Sequence, residues 1–159
     1  MVLADGDDAS GLAVMLAELL ADNLRDFPVR AEVARRARGD LVLTASDREI
    51  SVTLSFRPGE VVVSNGATER APALRGPWLE MAKLCSGQES PVVALARRHL
   101  QLVPGARMTV VPAGGFVLSV PASFYGDNSQ RRQVAVVGGI AAVVLVLLIR
   151  RRRRRRRTR

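Results

Sequence analysis

Histidine, cysteine and aromatic residues are nearly missing from this chain. Its 159 residues include one histidine, His99, and one cysteine, Cys85, beside one tryptophan, one tyrosine and four phenylalanines. A single cysteine excludes an internal disulfide and any multi-cysteine metal site. With one histidine, a metal centre would need carboxylates at ligand spacing, and the sequence groups none that way. The phosphate-cradling and nucleophile-elbow patterns GxxxxGKS/T, GxGxxG and GxSxG do not occur. A thiol–imidazole pair of Cys85 and His99 is opposed by the position of Cys85, on an apolar stripe at a helix C-terminus, where the field raises a thiol pKa. His99, beside Arg97 and Arg98, reads as a cation on the negative end of a helix dipole. No catalytic constellation and no cofactor motif is left, so the expectation is a protein that is not an enzyme.

Charge of one sign is also scarce outside one place. The chain has 24 basic and 15 acidic residues, a net +9, and nine of those arginines follow Ile149. Without them the basic and acidic counts are equal. The sequence pI of about 11.5 therefore describes a tail and not a basic face on the body. With few aromatics available to stack bases, composition argues against nucleic acid as a partner. A basic, uninterrupted apolar leader is missing too: "MVLADGDDASGLAVMLAELL" starts with acids and is broken by Glu18. The expectation is no export signal and a cytoplasmic globular part.

What is present is a long apolar run at the end. Val134 to Ile149 contains sixteen residues without charge, eleven of them Val, Ile or Leu. As a helix the run spans roughly 24 Å against a hydrocarbon layer of about 30 Å, a deficit that flanking polar stems can bridge. It is expected to insert in a membrane, as a single pass or shallowly embedded. Arg150, Arg151, Arg152, Arg153, Arg154, Arg155, Arg156 and Arg157 follow at once and are the expected binders of anionic lipid headgroups. Small residues four apart, Ala135/Gly139 and Gly138/Ala142, could bring two such helices together as a homodimer. The arginine count alone would put the tail inside and the body outside; the lack of a leader opposes export of the body.

Upstream, apolar periodicity divides the chain. Residues 1–9 are acidic and small, and are expected to be disordered. Leu12, Met15, Leu16, Leu19, Leu20 and Leu24 predict an amphipathic helix from about Ser10, its cap, to Asp26. Pro28 opens a second helix, with Gly39 as its exit. The period then becomes two, predicting a meander of strands at Leu41–Ala45, Ile50–Phe56 and Val61–Ser64, and a short strand around Ala71–Leu74. "GPWLEMAKLCSG" predicts a helix with Trp78, Met81, Ala82 and Cys85 on one stripe, and "SPVVALARRH" predicts another helix. Strands are expected at Leu100–Val103, Arg107–Pro112 and Phe116–Pro121, the last two joined as a hairpin by Gly114–Gly115. The order implies an α+β domain over residues 10–122 with a mainly antiparallel sheet and helices on one face. A juxtamembrane linker (123–133), the transmembrane helix (134–149) and the polyarginine tail (150–159) complete the layout.

From about Gly39 to Leu102 the arrangement resembles the sterol carrier protein 2 (sterol-binding) domain family. The resemblance rests on the meander "LVLTASDREISVTLSFRPGEVVVSNG", then "ATERAPAL", then "GPWLEMAKLCSGQESPVVALARRHLQL". It implies a five-stranded sheet and helices enclosing an apolar cavity for a sterol or fatty acyl chain, without catalysis. The cavity lining it implies here is Val52, Leu54, Phe56, Val61, Val63, Trp78, Met81, Ala82, Cys85, Val92, Leu95 and Leu102. Beyond Leu102 the family has a closing helix, where this chain reads as a hairpin. Two functions follow: a membrane-anchored lipid-binding module, or a membrane-tethered scaffold with a filled core that recruits a protein partner.

Overall fold

The computed structural model of the chain describes residues 2–119. The expected membrane segment Val134–Ile149, its linker and the arginines Arg150 to Arg157 lie outside the described residues. No helix among the described residues is long and apolar enough to cross a membrane.

Five helices and six strands follow one another in an α+β order. β1 (Val2–Leu3) and a 3₁₀ turn (Gly6–Asp8) precede α1 (Gly11–Asp26) and α2 (Pro28–Arg36). The meander β2 (Gly39–Ala45), β3 (Ile50–Arg57) and β4 (Glu60–Asn65) comes next, then β5 (Ala73–Gly76). α3 (Trp78–Cys85), α4 (Pro91–Ala96), β6 (Gln101–Val103) and α5 (Val110–Leu118) complete the fold. Ser10 caps α1 as its sequence position predicts, its side chain accepting from the Ala13 amide, and Ser90 caps α4 by accepting from Val92.

The sheet has the order β1-β4-β3-β2-β5-β6. It differs from the expected five mainly antiparallel strands, because β1 pairs with β4 and β5 pairs with β2 in parallel. Residues 1–9, read from composition as disordered, instead supply β1 and the 3₁₀ turn. Asn65 holds this stretch: its Oδ1 accepts from the Ser10 amide and its Nδ2 donates to the Asp8 carbonyl, both at 2.9 Å. The parallel β2–β5 pairing arises because the chain, leaving β4 at one side of β3, returns to the free edge of β2. Segment 66–72 makes that return across the outer face, where Thr53 Oγ1 donates to the Gly66 carbonyl and Thr68 closes on Thr53 from amide and hydroxyl. Thr53 and Val42, which strict alternation would leave in water, are therefore buried.

The inner face carries Leu41, Leu43 and Ala45 of β2, Val52, Leu54 and Phe56 of β3, and Val61 and Val63 of β4. All are buried in one contiguous core with Leu12, Leu16 and Leu20 of α1. The period-two and period-four patterns thus meet as binary patterning requires.

The largest departure from expectation is α5. Residues 107–121 were expected to form a hairpin, and Val110–Leu118 is a helix. The apolar positions decide it: Val110, Gly114, Val117 and Leu118, at i, i+4, i+7 and i+8, are the buried ones. Pro112 sits in the first turn, where a missing amide costs nothing. Gly114 is not a turn residue; a Cβ there would lie 2.5 Å from Leu41 Cδ2, so the glycine lets α5 lie close on β2. The closing helix that the resemblance calls for after Leu102 is therefore present.

Candidate functional site

The inner layer between the sheet and the helices is where the sequence placed its candidate site. Seven of the twelve predicted lining residues, Val52, Leu54, Phe56, Val61, Val63, Met81 and Cys85, are at most 4% exposed and belong to the core. Trp78, Leu95 and Leu102 are half-buried and pack against it. Ala82 and Val92 are half-buried and stand outside the contiguous cluster.

α3 positions the helical part of this set. Met81, Leu84 and Cys85 point inward, so the buried stripe runs along Met81/Leu84/Cys85, while Trp78 and Ala82 lie on its margin. The expected stripe missed Leu84, which follows Met81 by three residues and is buried beside Cys85. Also absent from the prediction are Leu118 and Val117, hidden by the hairpin reading. The start of α3 is fixed from the β2–β3 turn: the Trp78 amide donates to Asp47 Oδ1 at 2.7 Å, and the Arg48 guanidinium lies 4.6 Å from the centre of the indole. Trp78 is thereby held at the rim by an amide anchor and a cation–π contact. Burial pushes the Cys85 thiol up to about 12; the cause is desolvation and not the helix field expected from the sequence.

Polar groups inside the helical layer are few; Glu80 Oε2 of α3 is buried without a hydrogen bond, whereas those of Asn23 are paired. Asn23 of α1 is buried; its Nδ2 donates to the Val117 carbonyl of α5 and its Oδ1 accepts from Arg30 Nη1 of α2, both at 2.9 Å. One side chain thus ties three helices. The Arg30 guanidinium lies 4.5 Å from the Phe27 ring centre and 5.7 Å from that of Phe116.

A second cluster was invisible in the sequence. Glu80, Glu89 and His99, which linear spacing does not group, come together with one ligand-type atom of each within 4.8 Å of the others. His99 Nδ1 is 3.4 Å from Glu80 Oε2 and 3.3 Å from Glu89 Oε1. This corrects the reading of His99 as a plain helix-end cation, and the reading that no carboxylates are grouped. Lys83 Nζ reaches Glu80 Oε1 at 2.8 Å and Arg97 Nη1 reaches Glu89 Oε1 at 3.7 Å. The cluster therefore brings its own cations and is an ion-pair knot that joins α3 to the end of α4. The Lys83 hydrogen bond above all, then the charges of Lys83 and His99, hold the Glu80 carboxyl below its usual range, against the opposing effect of burial.

No family model and no curated protein sequence matches the chain. Among solved structures, one described as a UbiJ-SCP2 ubiquinone synthesis protein superposes with a TM-score of 0.51 at 15% identity, over 67% of this chain and 91% of the other. A crystal structure of sterol carrier protein 2 superposes with a TM-score of 0.48 at 18% identity, over 65% and 90%. At such identities the likeness is one of fold. The described residues form an SCP2-like α+β fold with a mixed six-stranded sheet.

Proposed function

We propose that the domain binds a lipid, a sterol or a fatty acyl chain, in the apolar layer between the sheet and α1, α3 and α5. It holds that ligand without transforming it. The observation that carries this reading is the SCP2-like fold combined with a predominantly apolar inner layer, whose margin on α3 and α4 is half-exposed at Trp78, Ala82, Val92 and Leu95. An acyl chain entering past that margin would meet Met81 and Cys85 and gain about 0.8 kcal/mol for each methylene buried. In this reading the run Val134–Ile149 tethers the domain to a membrane and the arginines Arg150 to Arg157 contact anionic headgroups, with the globular part on the cytoplasmic side.

A photoreactive fatty acid added to the full chain in membranes tests this directly. The expected adducts fall on peptides containing Met81 or Leu54 and disappear under excess unlabelled fatty acid. Adducts confined to residues 134–149 would leave the interior without a ligand.

One observation favours a second reading, a membrane-tethered scaffold with a filled core. Seven of the twelve lining candidates are close-packed in one cluster. In that case the domain recruits a protein partner, or a second copy of itself, and the photoreactive lipid labels no residue before 120.

A further inference from the structure

Three of the seven large exposed apolar side chains among the described residues stand on α2, α5 and the turn before α5; the others, Val2, Val14, Leu79 and Val103, are on other elements. α2 and α5 lie side by side and antiparallel. Arg30, near the start of α2, reaches Phe116, near the end of α5. Gly39, just after α2, lies against Arg107 and Val110 at the start of α5, where an added Cβ would be 3.5 and 3.7 Å from them.

The outward side of α5 is apolar, and α2 adds an exposed valine at its start. Val29 is 68% exposed, Phe116 43% and Met108 38%, and Pro28 and Pro112 are exposed beside them in sequence. α5 contains no charged or polar side chain at all. An ordinary solvent-facing helix would carry polar residues on that side.

In the segments that carry these apolar groups, arginine outnumbers acid. The described residues contain thirteen basic and fourteen acidic side chains, so the domain as a whole has almost no net charge. Yet residues 27–39 and 104–119 together expose Arg35, Arg36, Arg38 and Arg107 against a single acid, Glu32, which pairs with Arg35 and Arg36; Arg30 of the same stretch is buried. Asp22 and Asp26, at the end of α1, are both taken up by Arg25. Exposed aliphatic and aromatic tips with exposed arginines in the same segments match the boundary between acyl chains and anionic headgroups.

The chain's own layout points the same way. Helix α5 ends at Leu118, and only residues 120–133 separate the described domain from the run Val134–Ile149. Fourteen residues in any conformation reach at most about 50 Å. If that run is in a bilayer, the domain is never far from the same surface.

We propose that the α2–α5 face is the surface by which the domain lies on an anionic bilayer, with Val29, Met108 and Phe116 entering the acyl boundary. This rests on the membrane-tethered reading above and adds an orientation to it.

The test uses the full chain reconstituted in phosphatidylcholine–phosphatidylglycerol vesicles, with single nitroxide labels at Val29→Cys, Phe116→Cys and Arg75→Cys. Arg75 is exposed on β5, on the opposite face of the sheet from the buried Leu74. The native Cys85 is 1% exposed and escapes labelling. Expected is a several-fold rise in the ratio of oxygen to nickel-chelate accessibility at 29 and 116, no rise at 75, and loss of the effect when phosphatidylglycerol is omitted. Val29 makes no ring contact, so its label reports even if the Phe116 variant misfolds. Co-sedimentation of the chain with vesicles while all three labels stay equally open to chelate overturns the docking face and leaves the tether standing. A chain that remains in the supernatant overturns both. Spin–spin broadening at 29 or 116 without lipid would assign the face to a second copy. Equal shielding in detergent would assign it to the chain's own apolar run, and either result also overturns the proposal.

Discussion

Single residues explain where the inner layer is tight. Gly114 and Gly115 are adjacent in α5 and face opposite environments. A Cβ on Gly114 would meet Leu41 Cδ2 at 2.5 Å, whereas one on Gly115 meets nothing within 4 Å. Gly115→Ala should therefore stabilise the domain by about 0.5–1 kcal/mol through helix propensity. Gly114→Ala should destabilise it by about 1–3 kcal/mol through overpacking against buried Leu41. Denaturant midpoints of the two variants check the opposite signs. Glu80 gives a pH prediction. Its carboxyl is held below the usual 4.5 by Lys83 and His99, so its contribution is present above 4.5 and lost as pH falls through the depressed value. Glu80→Gln should be less stable than the parent at neutral pH, and thermal melts should show the two converging in acid. The residues of this knot had no signature in the sequence. Glu80, Glu89 and His99 belong to α3, the following turn and the end of α4, and only the corner between those helices brings them together.

At the scale of elements, periodicity was readable where a buried apolar face alternates with polar residues. α1 and its Ser10 cap, the three strands of the meander and the Pro-opened helices α3 and α4 all stand close to their expected bounds. α5 was not readable as a helix. Val, Phe and two glycines satisfy a strand–turn–strand pattern as well as a helical one, and the deciding contact, Gly114 on Leu41, is tertiary. Membership of α5 in the fold depends on Asn23, whose amide links it to α1 and, through Arg30, to α2. Asn23→Ala leaves the Val117 carbonyl and the Arg30 guanidinium each short of a bond. A loss of about 1–3 kcal/mol is expected. Hydrogen exchange should place the loss of protection in α5 first, with β3 changed least.

For the whole molecule, the sheet order was the least legible feature. Local patterns predict strands but not partners. The strap of residues 66–72 over Thr53, which makes β5 parallel to β2, is a long-range choice with no local signal. Burial of Val52, Leu54, Phe56, Met81 and Cys85 was legible from pattern alone, whereas the half-buried margin at Ala82 and Val92 depends on how α3 and α4 dock. Fold likeness does not identify a ligand; the proposal of a lipid rests on the predominantly apolar inner layer and its half-exposed rim.

The most direct measurement is displacement of a fluorescent fatty acid from the full-length chain, compared with Ala82→Trp, which puts a bulky ring on the half-buried rim of α3. Lipid binding in the interior predicts saturable, competable fluorescence in the parent and affinity weakened about tenfold or more in the variant, about 1.4 kcal/mol, with both proteins melting alike. A parent chain with no saturable component would contradict it.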